Sequence, residues 1–352
     1  MTVPEQATEP ATPVSPTPEV GVAPPVIGVR SLIGTSLDLL LRVGGPMRRA
    51  SFYVGLLVLG TVGPVILALW SLVVVGDSGD ILLLESPSGA PAGWYAVLIL
   101  LAAAGVFVVT VESQAIVLAL LGSHLVERPI TVRAVVQRSR MVFWPLVAAS
   151  FVVGIPATVV QTVIGQETQP AILAGLVAGI AIQAPFVYAA AGIVLGGVGP
   201  IESLRRSIRV ALARKVAAAV LAVLPTVFGL LVLVAFDAGV DLALRSIDAV
   251  GLGTDSGPLG VAVLTVVIVV LVFAIGTLVL TAAGIIYAPQ VVMFVALTHA
   301  TYGLDHVRPG GSHAPESPLE PGARFRWLTR PMRLGMLLGI IGLAGFLASV
   351  GG

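Results

Sequence analysis

Seven apolar runs divide the chain, at residues 52–75, 94–121, 142–164, 171–198, 216–236, 261–297 and 334–350. A helix that crosses a bilayer needs about 20 consecutive apolar residues, so the pattern predicts up to seven spans. The sixth run has 37 residues, which is roughly 55 Å of helix and nearly twice the bilayer core. We read it as one long helix, kinked near Pro289 and projecting past the membrane. The alternative is two spans turning near Gly284 or Pro289. The last run has 17 residues and carries Gly335 and Gly339, a spacing that allows close helix packing; we expect it to form a seventh, C-terminal span.

Three shorter segments alternate differently. In 29–43, Ser31, Thr35, Asp38 and Arg42 recur at helical spacing against an apolar face of Ile33, Leu37 and Leu40. In 130–141, Arg133, Gln137 and Arg140 oppose Val132, Val135 and Val136. In 201–212, Glu202, Arg205, Arg206 and Arg209 oppose Ile201, Leu204, Ile208 and Ala211. Each reads as an amphipathic helix suited to a membrane surface, and each precedes a pair of spans. Pro129-Ile130 and Pro200-Ile201 open the second and third units. The expected fold is therefore an all-α polytopic membrane protein: three units of interfacial helix plus hairpin, giving six spans, and a seventh span. The expected divisions are a tail at 1–27, a membrane domain at 28–310, a polar basic loop at 311–330 and a membrane helix at 331–352.

Composition agrees with this picture. Hydrophobic residues make up 57% of the chain and charged residues 11%, where a soluble domain carries about a quarter charged residues. The distribution of charge adds orientation. Of the 19 Lys and Arg residues, all but Arg245 lie before the first run or in alternate loops. Arg128, Arg133, Arg138 and Arg140 occupy the second loop. Arg205, Arg206, Arg209, Arg214 and Lys215 occupy the fourth, and Arg308, Arg324, Arg326, Arg330 and Arg333 the sixth. Cytoplasmic loops retain Lys and Arg, so the N-terminus is expected inside a cell (inner) membrane and the C-terminus outside. Splitting the sixth run would put five arginines outside, which favours one helix. The first 27 residues hold seven prolines, the composition of a disordered tail. No basic stretch followed by an apolar core opens it, so the tail is expected in the cytoplasm.

Candidate chemistry is sparse. There is no cysteine, which excludes disulfides and thiolate chemistry. The sole lysine, Lys215, follows Arg214 rather than a glycine, so there is no phosphate-cradling P-loop, and no G-x-S-x-G elbow occurs. The stretch Gly251 to Gly257 lacks dinucleotide-binding spacing and reads as a turn. His299, Asp305, His306 and His313 recur near the end of the sixth run, but intervals of seven are not a ligand signature. We expect no metal, no cofactor and no nucleic-acid partner. Glu112 is the one acidic residue well inside an apolar run. A carboxyl there must be protonated, paired or near water. Val108, Val109, Ala115 and Ile116 offer it nothing, and Gln114 at i+2 points elsewhere. A partner must come from another helix, and Gln183 is the candidate. Either Glu112 and Gln183 form a functional polar site, or Glu112 lies near the inner interface for structural reasons.

The stretch from Gly197 to Val216 carries a small-residue turn, then Leu204, Arg205, Arg206, Ser207 and Arg209, then a basic lead into the fifth run. It resembles the membrane-domain family attached to some glycerophosphoryl diester phosphodiesterases. That family's motif reads Ala-Leu-Arg-Arg-Ser-Trp-Arg-Leu; Ser203 stands here for the Ala and Ile208 for the Trp. Glu127, Arg128, Pro129, Ile130 and Thr131, followed by Ala134 and Arg138, are similar to the family's element before its third span. The stretch from Thr301 to Arg308 is a loose version of its Tyr-Tyr-Asp-Leu-Arg closure. The resemblance covers roughly residues 28–310 and implies a six-helix membrane module with an association to phospholipid metabolism. In family members that are enzymes, a separate soluble barrel carries the chemistry. A barrel of that kind takes about 250 residues, and no non-membrane stretch here approaches that length.

Two functions follow as expectations. The first is a non-catalytic membrane module that binds anionic lipid headgroups through Arg205, Arg206 and Arg209 and scaffolds or assists envelope or phospholipid-related proteins. Its partners would be membrane lipids and other membrane proteins. The second is a transporter or lipid translocator with Glu112, Gln183 and Gln290 along a polar path.

Overall fold

The computed structural model describes residues 29–61, 73–75, 81–83, 93–126, 129–165, 169–227 and 257–302, and positions 333 and 337. The tail at 1–27, the loop at 311–330, the histidines beyond His299 and nearly all of the seventh run lie outside the described residues.

Helix α1 (Val29–Thr61) runs unbroken through the first amphipathic segment and into the first apolar run. This corrects the expectation of a separate interfacial helix. The reason is a continuous buried stripe, Leu39, Val43, Met47, Ala50, Val54 and Leu57, whose three- and four-residue steps keep one face on the core. That stripe holds the helix together across Pro46. Ile33 and Leu37, read as its apolar face, instead point outward. The far end of the first run is not helical. Val73–Val75 forms strand β1, paired antiparallel with β2 (Ile81–Leu83) in the register Val73↔Leu83. Three successive valines suit a strand as well as a span.

Every other described element is helical. Helix α2 spans Gly93–Leu125 and α3 spans Val132–Ile164. The second amphipathic segment is likewise the first part of a longer helix, α3, capped by Thr131, whose side chain accepts a 3.3 Å hydrogen bond from the Ala134 amide. Helix α4 (Gln169–Gln183) passes through a 3-10 turn (Ala184–Phe186) into a short α5 (Ala189–Val194). Only the third amphipathic segment stands apart from its span. There α6 (Pro200–Ala213) meets α7 (Lys215–Val227) at a bend of 117°, because Arg214 leaves helical geometry (φ −139°, ψ 62°). Helix α8 (Gly257–Tyr302) is a single helix of 46 residues containing Pro289, so the sixth run is one element and not a hairpin.

Four of these segments are long and apolar enough to cross a membrane: Ala103–Leu125, Val132–Ile164, Pro170–Val194 and Phe273–Thr298. The bent α6–α7 pair raises the number to five if it is taken as one span. The core is α1, α2 and α8, with α1 and α8 in the most extensive contact of any two elements. Helix α3 packs on α2 and carries α4 at the periphery. The span in α2 is 67% buried, those of α3 and α4 only 17% each. Their outer surfaces present Trp144, Ile155, Val159, Leu173 and Val177, which matches an acyl-chain solvent rather than water.

The α1–α8 contact depends on absent side chains. A Cβ at Gly276 would collide with the backbone carbonyl of Ser51 and come within 2.7 Å of the Gly55 amide nitrogen. At Gly284 the nearest atoms belong to the flexible side chains of Met47 and Leu40, which can move aside. Gly276→Ala is therefore expected to lower stability by about 1–3 kcal/mol, as overpacking does, and Gly284→Ala by clearly less. Denaturant unfolding of the two variants in mixed micelles checks this; equal losses would contradict it.

Candidate functional site

The feature that organises the interior is the break in the fourth apolar run. Pro185 has no amide hydrogen, so one bond of the α-helical ladder is missing there, and the chain tightens into the 3-10 turn. The groups left over are met by α6. The Ser207 hydroxyl accepts from the Tyr188 amide at 3.1 Å and donates to the Pro185 carbonyl at 2.9 Å. The Ser203 hydroxyl donates to the Ala189 carbonyl at 2.6 Å. Gly192 lets α6 come this close, since a Cβ there would strike the Ser203 hydroxyl. The far end of α5 is closed by Arg138 of α3. Its Nε donates to the Val194 carbonyl at 3.1 Å, and its Nη2 donates to Val194 at 2.9 Å and Ile193 at 3.2 Å. A cation at a helix C-terminus also suits the local dipole.

A cavity of ≈ 300 Å³ lies beside the break, between α2, α3, α7 and α8. Its polar lining is Thr110, Gln114, Ser150, Gln183, Tyr287 and Gln290, set among apolar walls such as Leu146, Val153 and Phe186. Among the described residues no Asp, Glu, His, Lys or Arg lines it. Gln290 is buried, Gln114 half-buried, and Gln183 exposed at the rim.

Glu112 belongs to a different cluster. It is 1% exposed, and the Tyr53 hydroxyl donates to its Oε2 at 2.6 Å. Arg140 hydrogen-bonds Tyr53 and stands within Coulombic reach of the Glu112 carboxyl group. The cluster joins α1, α2 and α3. Glu112 and Gln183 are thus not brought together. Residues two apart on a helix point about 200° apart, so Gln114 faces the cavity while Glu112 faces Tyr53. Gln183 and Gln290 do share the cavity, as the polar-path reading expected. Glu112 lies 13 residues before the end of α2, about 20 Å along the axis.

Arg205, Arg206 and Arg209 all lie on α6, Arg205 and Arg209 opposite the serine face and Arg206 on its flank. Glu202 Oε1 is 2.9 Å from Arg206 Nε and 3.5 Å from Arg209 Nη2. The Arg206 hydrogen bond, with the nearby positive charges, holds the Glu202 carboxyl below the usual carboxylate range. Arg206 is the most covered of the three, while Arg205 and Arg209 are exposed.

Sequence reasoning missed Tyr53, Arg138, Arg140, Ser203 and Ser207 as working groups. Ser203 and Ser207 carried a signal: they sit one helical turn apart, opposite the charged face. The two arginines read as ordinary inner-loop charge. Among the described residues no cluster of His, Asp or Glu could hold a metal ion. No known protein family, curated protein or solved structure compared with the chain matches it.

The Tyr53–Glu112–Arg140 arrangement makes a graded prediction. Tyr53→Phe removes one intramembrane hydrogen bond and is expected to cost about 0.6–1.7 kcal/mol. Glu112→Leu leaves the buried Tyr53 hydroxyl without its acceptor and removes the carboxyl near Arg140, and is expected to cost about 1–3 kcal/mol. Unfolding free energies of both variants check the order; a harmless Glu112→Leu would show that the cluster does not support the fold.

Proposed function

We propose that this chain is a non-catalytic integral module of a cell (inner) membrane, which binds anionic lipid headgroups at its cytoplasmic face and so scaffolds or assists envelope or phospholipid-related proteins. The observation that carries this reading is the two-sided construction of α6. One side is tied to the break by Ser203 and Ser207. The other presents Arg205 and Arg209 next to exposed Ile201, Leu212 and Val216. Apolar groups that dip among acyl chains, beside guanidinium groups at phosphate level, are what an interfacial helix needs. Arg214 and Lys215, both exposed at the bend, extend the basic surface, against Glu202 as its one acid. The likeness of the Gly197 to Val216 stretch to the phosphodiesterase-associated membrane domains supports the same link to phospholipids.

The full architecture is proposed as seven spans, with the N-terminus in the cytoplasm and the C-terminus outside. A second reading, a transporter or lipid translocator, is favoured by the cavity at the break, with Gln183 and Gln290 on its wall and Glu112 serving the fold.

Arg205→Gln/Arg209→Gln is expected to weaken binding of dihexanoyl phosphatidylglycerol to the purified protein roughly 30-fold, at about 1 kcal/mol per arginine near the surface. Raising the salt should shrink the difference. Unchanged affinity would remove the headgroup role. Orientation is open to direct test because the chain lacks cysteine. In intact cells an impermeant maleimide should label Glu167→Cys and Gly351→Cys but not Thr12→Cys. Labelling of Thr12→Cys from outside, or protection of Gly351→Cys, would overturn the seven-span topology.

A further inference from the structure

We propose that the cavity at the break of the fourth span is a binding site for an uncharged polyhydroxyl group, a sugar-like or polyol head. The inference is independent of lipid binding at α6.

Three properties select this chemistry. First, among the described residues the lining carries no ionisable acid or base apart from the Tyr287 phenol. A charged ligand would lose its hydration and find no counter-charge, a cost of several kcal/mol at membrane depth. Second, an apolar occupant fits no better. Gln114, Gln183 and Gln290 converge on the space, and none of these carboxamides hydrogen-bonds another described residue. Gln183 in particular is exposed in the middle of the apolar segment Pro170–Val194. A carboxamide facing hydrocarbon with no partner is costly, so a polar group belongs against it. Third, each carboxamide offers both donors and an acceptor, and the Ser150 hydroxyl and the Tyr287 phenol do the same. The Thr110 hydroxyl spends its hydrogen on the Val106 carbonyl at 2.8 Å and keeps its acceptor capacity. The complement of such a lining is a group whose every polar atom both donates and accepts, which is a hydroxyl. Several of these in one compact frame would satisfy all three carboxamides together, and Phe186 and Tyr287 give the carbon skeleton apolar walls.

The size agrees. At about 30 Å³ per water molecule in the liquid, ≈ 300 Å³ holds on the order of ten waters, room for a monosaccharide-sized head but not for a whole lipid. The head has two candidate sources, a neutral glycolipid whose chains remain in the bilayer or a free sugar from the aqueous side. The peripheral position of α4, which packs mainly on α3, leaves the exposed rim at Gln183 open to the first.

The test uses the full chain in detergent micelles, titrated by native mass spectrometry with dioleoyl glucosylglycerol, with its glucuronosyl analogue, and with free glucose. In Arg205→Gln/Arg209→Gln protein, where an anionic head no longer meets those arginines at α6, the glucosyl lipid is expected to bind saturably, at least tenfold more tightly than the glucuronosyl lipid, which adds a carboxylate to the same head. Gln183→Leu, at the exposed rim and outside the packed core, should weaken binding at least tenfold, and Gln290→Leu should do the same if it folds. Arg205→Gln/Arg209→Gln should leave this binding unchanged, which separates the outcome from that at α6. Competition by free glucose, lost in Gln183→Leu, would assign the head to a soluble sugar; its absence would assign it to a glycolipid. Absence of saturable binding by both glucosyl lipid and glucose, equal affinity for the glucuronosyl lipid in the Arg205→Gln/Arg209→Gln protein, or binding indifferent to Gln183→Leu would each overturn the proposal.

Discussion

A helix broken inside an apolar span is stable only if another element supplies the hydrogen bonds that the helix has given up. Here that constraint falls on two groups, the serine face of α6 and the guanidinium of Arg138. A buried backbone group left unmet is costly, so α6 is held to the break and α3 to α5. The remaining geometry follows. With Ser203 and Ser207 turned inward, Arg205 and Arg209 must face out, because one helix cannot present both sets on one side. The interruption at Pro185 also turns the chain away from its neighbours far enough to leave the cavity.

The interior separates charge from neutral polarity. Glu112 and Arg140 lie with Tyr53 where three helices meet, and Gln114, two residues further along α2, turns to an uncharged chamber. A buried ionisable group needs close enclosure and fixed partners to offset its desolvation, which makes it a poor lining for a space that exchanges its contents. Carboxamides and hydroxyls tolerate such exchange because water or a ligand can satisfy them equally.

Much of the helix pattern was legible. The apolar runs at 94–121, 142–164 and 261–297 all lie within described helices, and the third amphipathic segment is a distinct element because Arg214 ends it. The continuity of α1 and α3 was less visible, since polar residues at helical spacing look the same on a free surface helix as on the outer face of a long one. Only the buried stripe from Leu39 to Leu57 distinguishes them, and in so apolar a region it does not stand out. The Val73–Val75 strand was hidden for a similar reason: valines serve strand and span alike. At the candidate site, the divergence of Gln114 from Glu112 could be read from helical geometry. The partner of Glu112 could not, because Tyr53 lies 59 positions away and the facing of helices with apolar surroundings leaves no periodic trace. Arg138 and Arg140 were read only as topology, although they sit in the same amphipathic segment and reach two different buried sites.

The contact between Ser51, Gly55 and Gly276 has a consequence in time. The first described helix finds its main partner in the last long one, more than 200 residues later. At about 5–20 residues per second of synthesis, α1 waits on the order of 10–45 s in the membrane before α8 exists to cover it. During that interval the small-residue groove at Ser51 and Gly55 has no final partner. The core therefore cannot close before α8 has been made, and a ribosome that stalls ahead of α8 leaves the Ser51–Gly55 face of α1 uncovered.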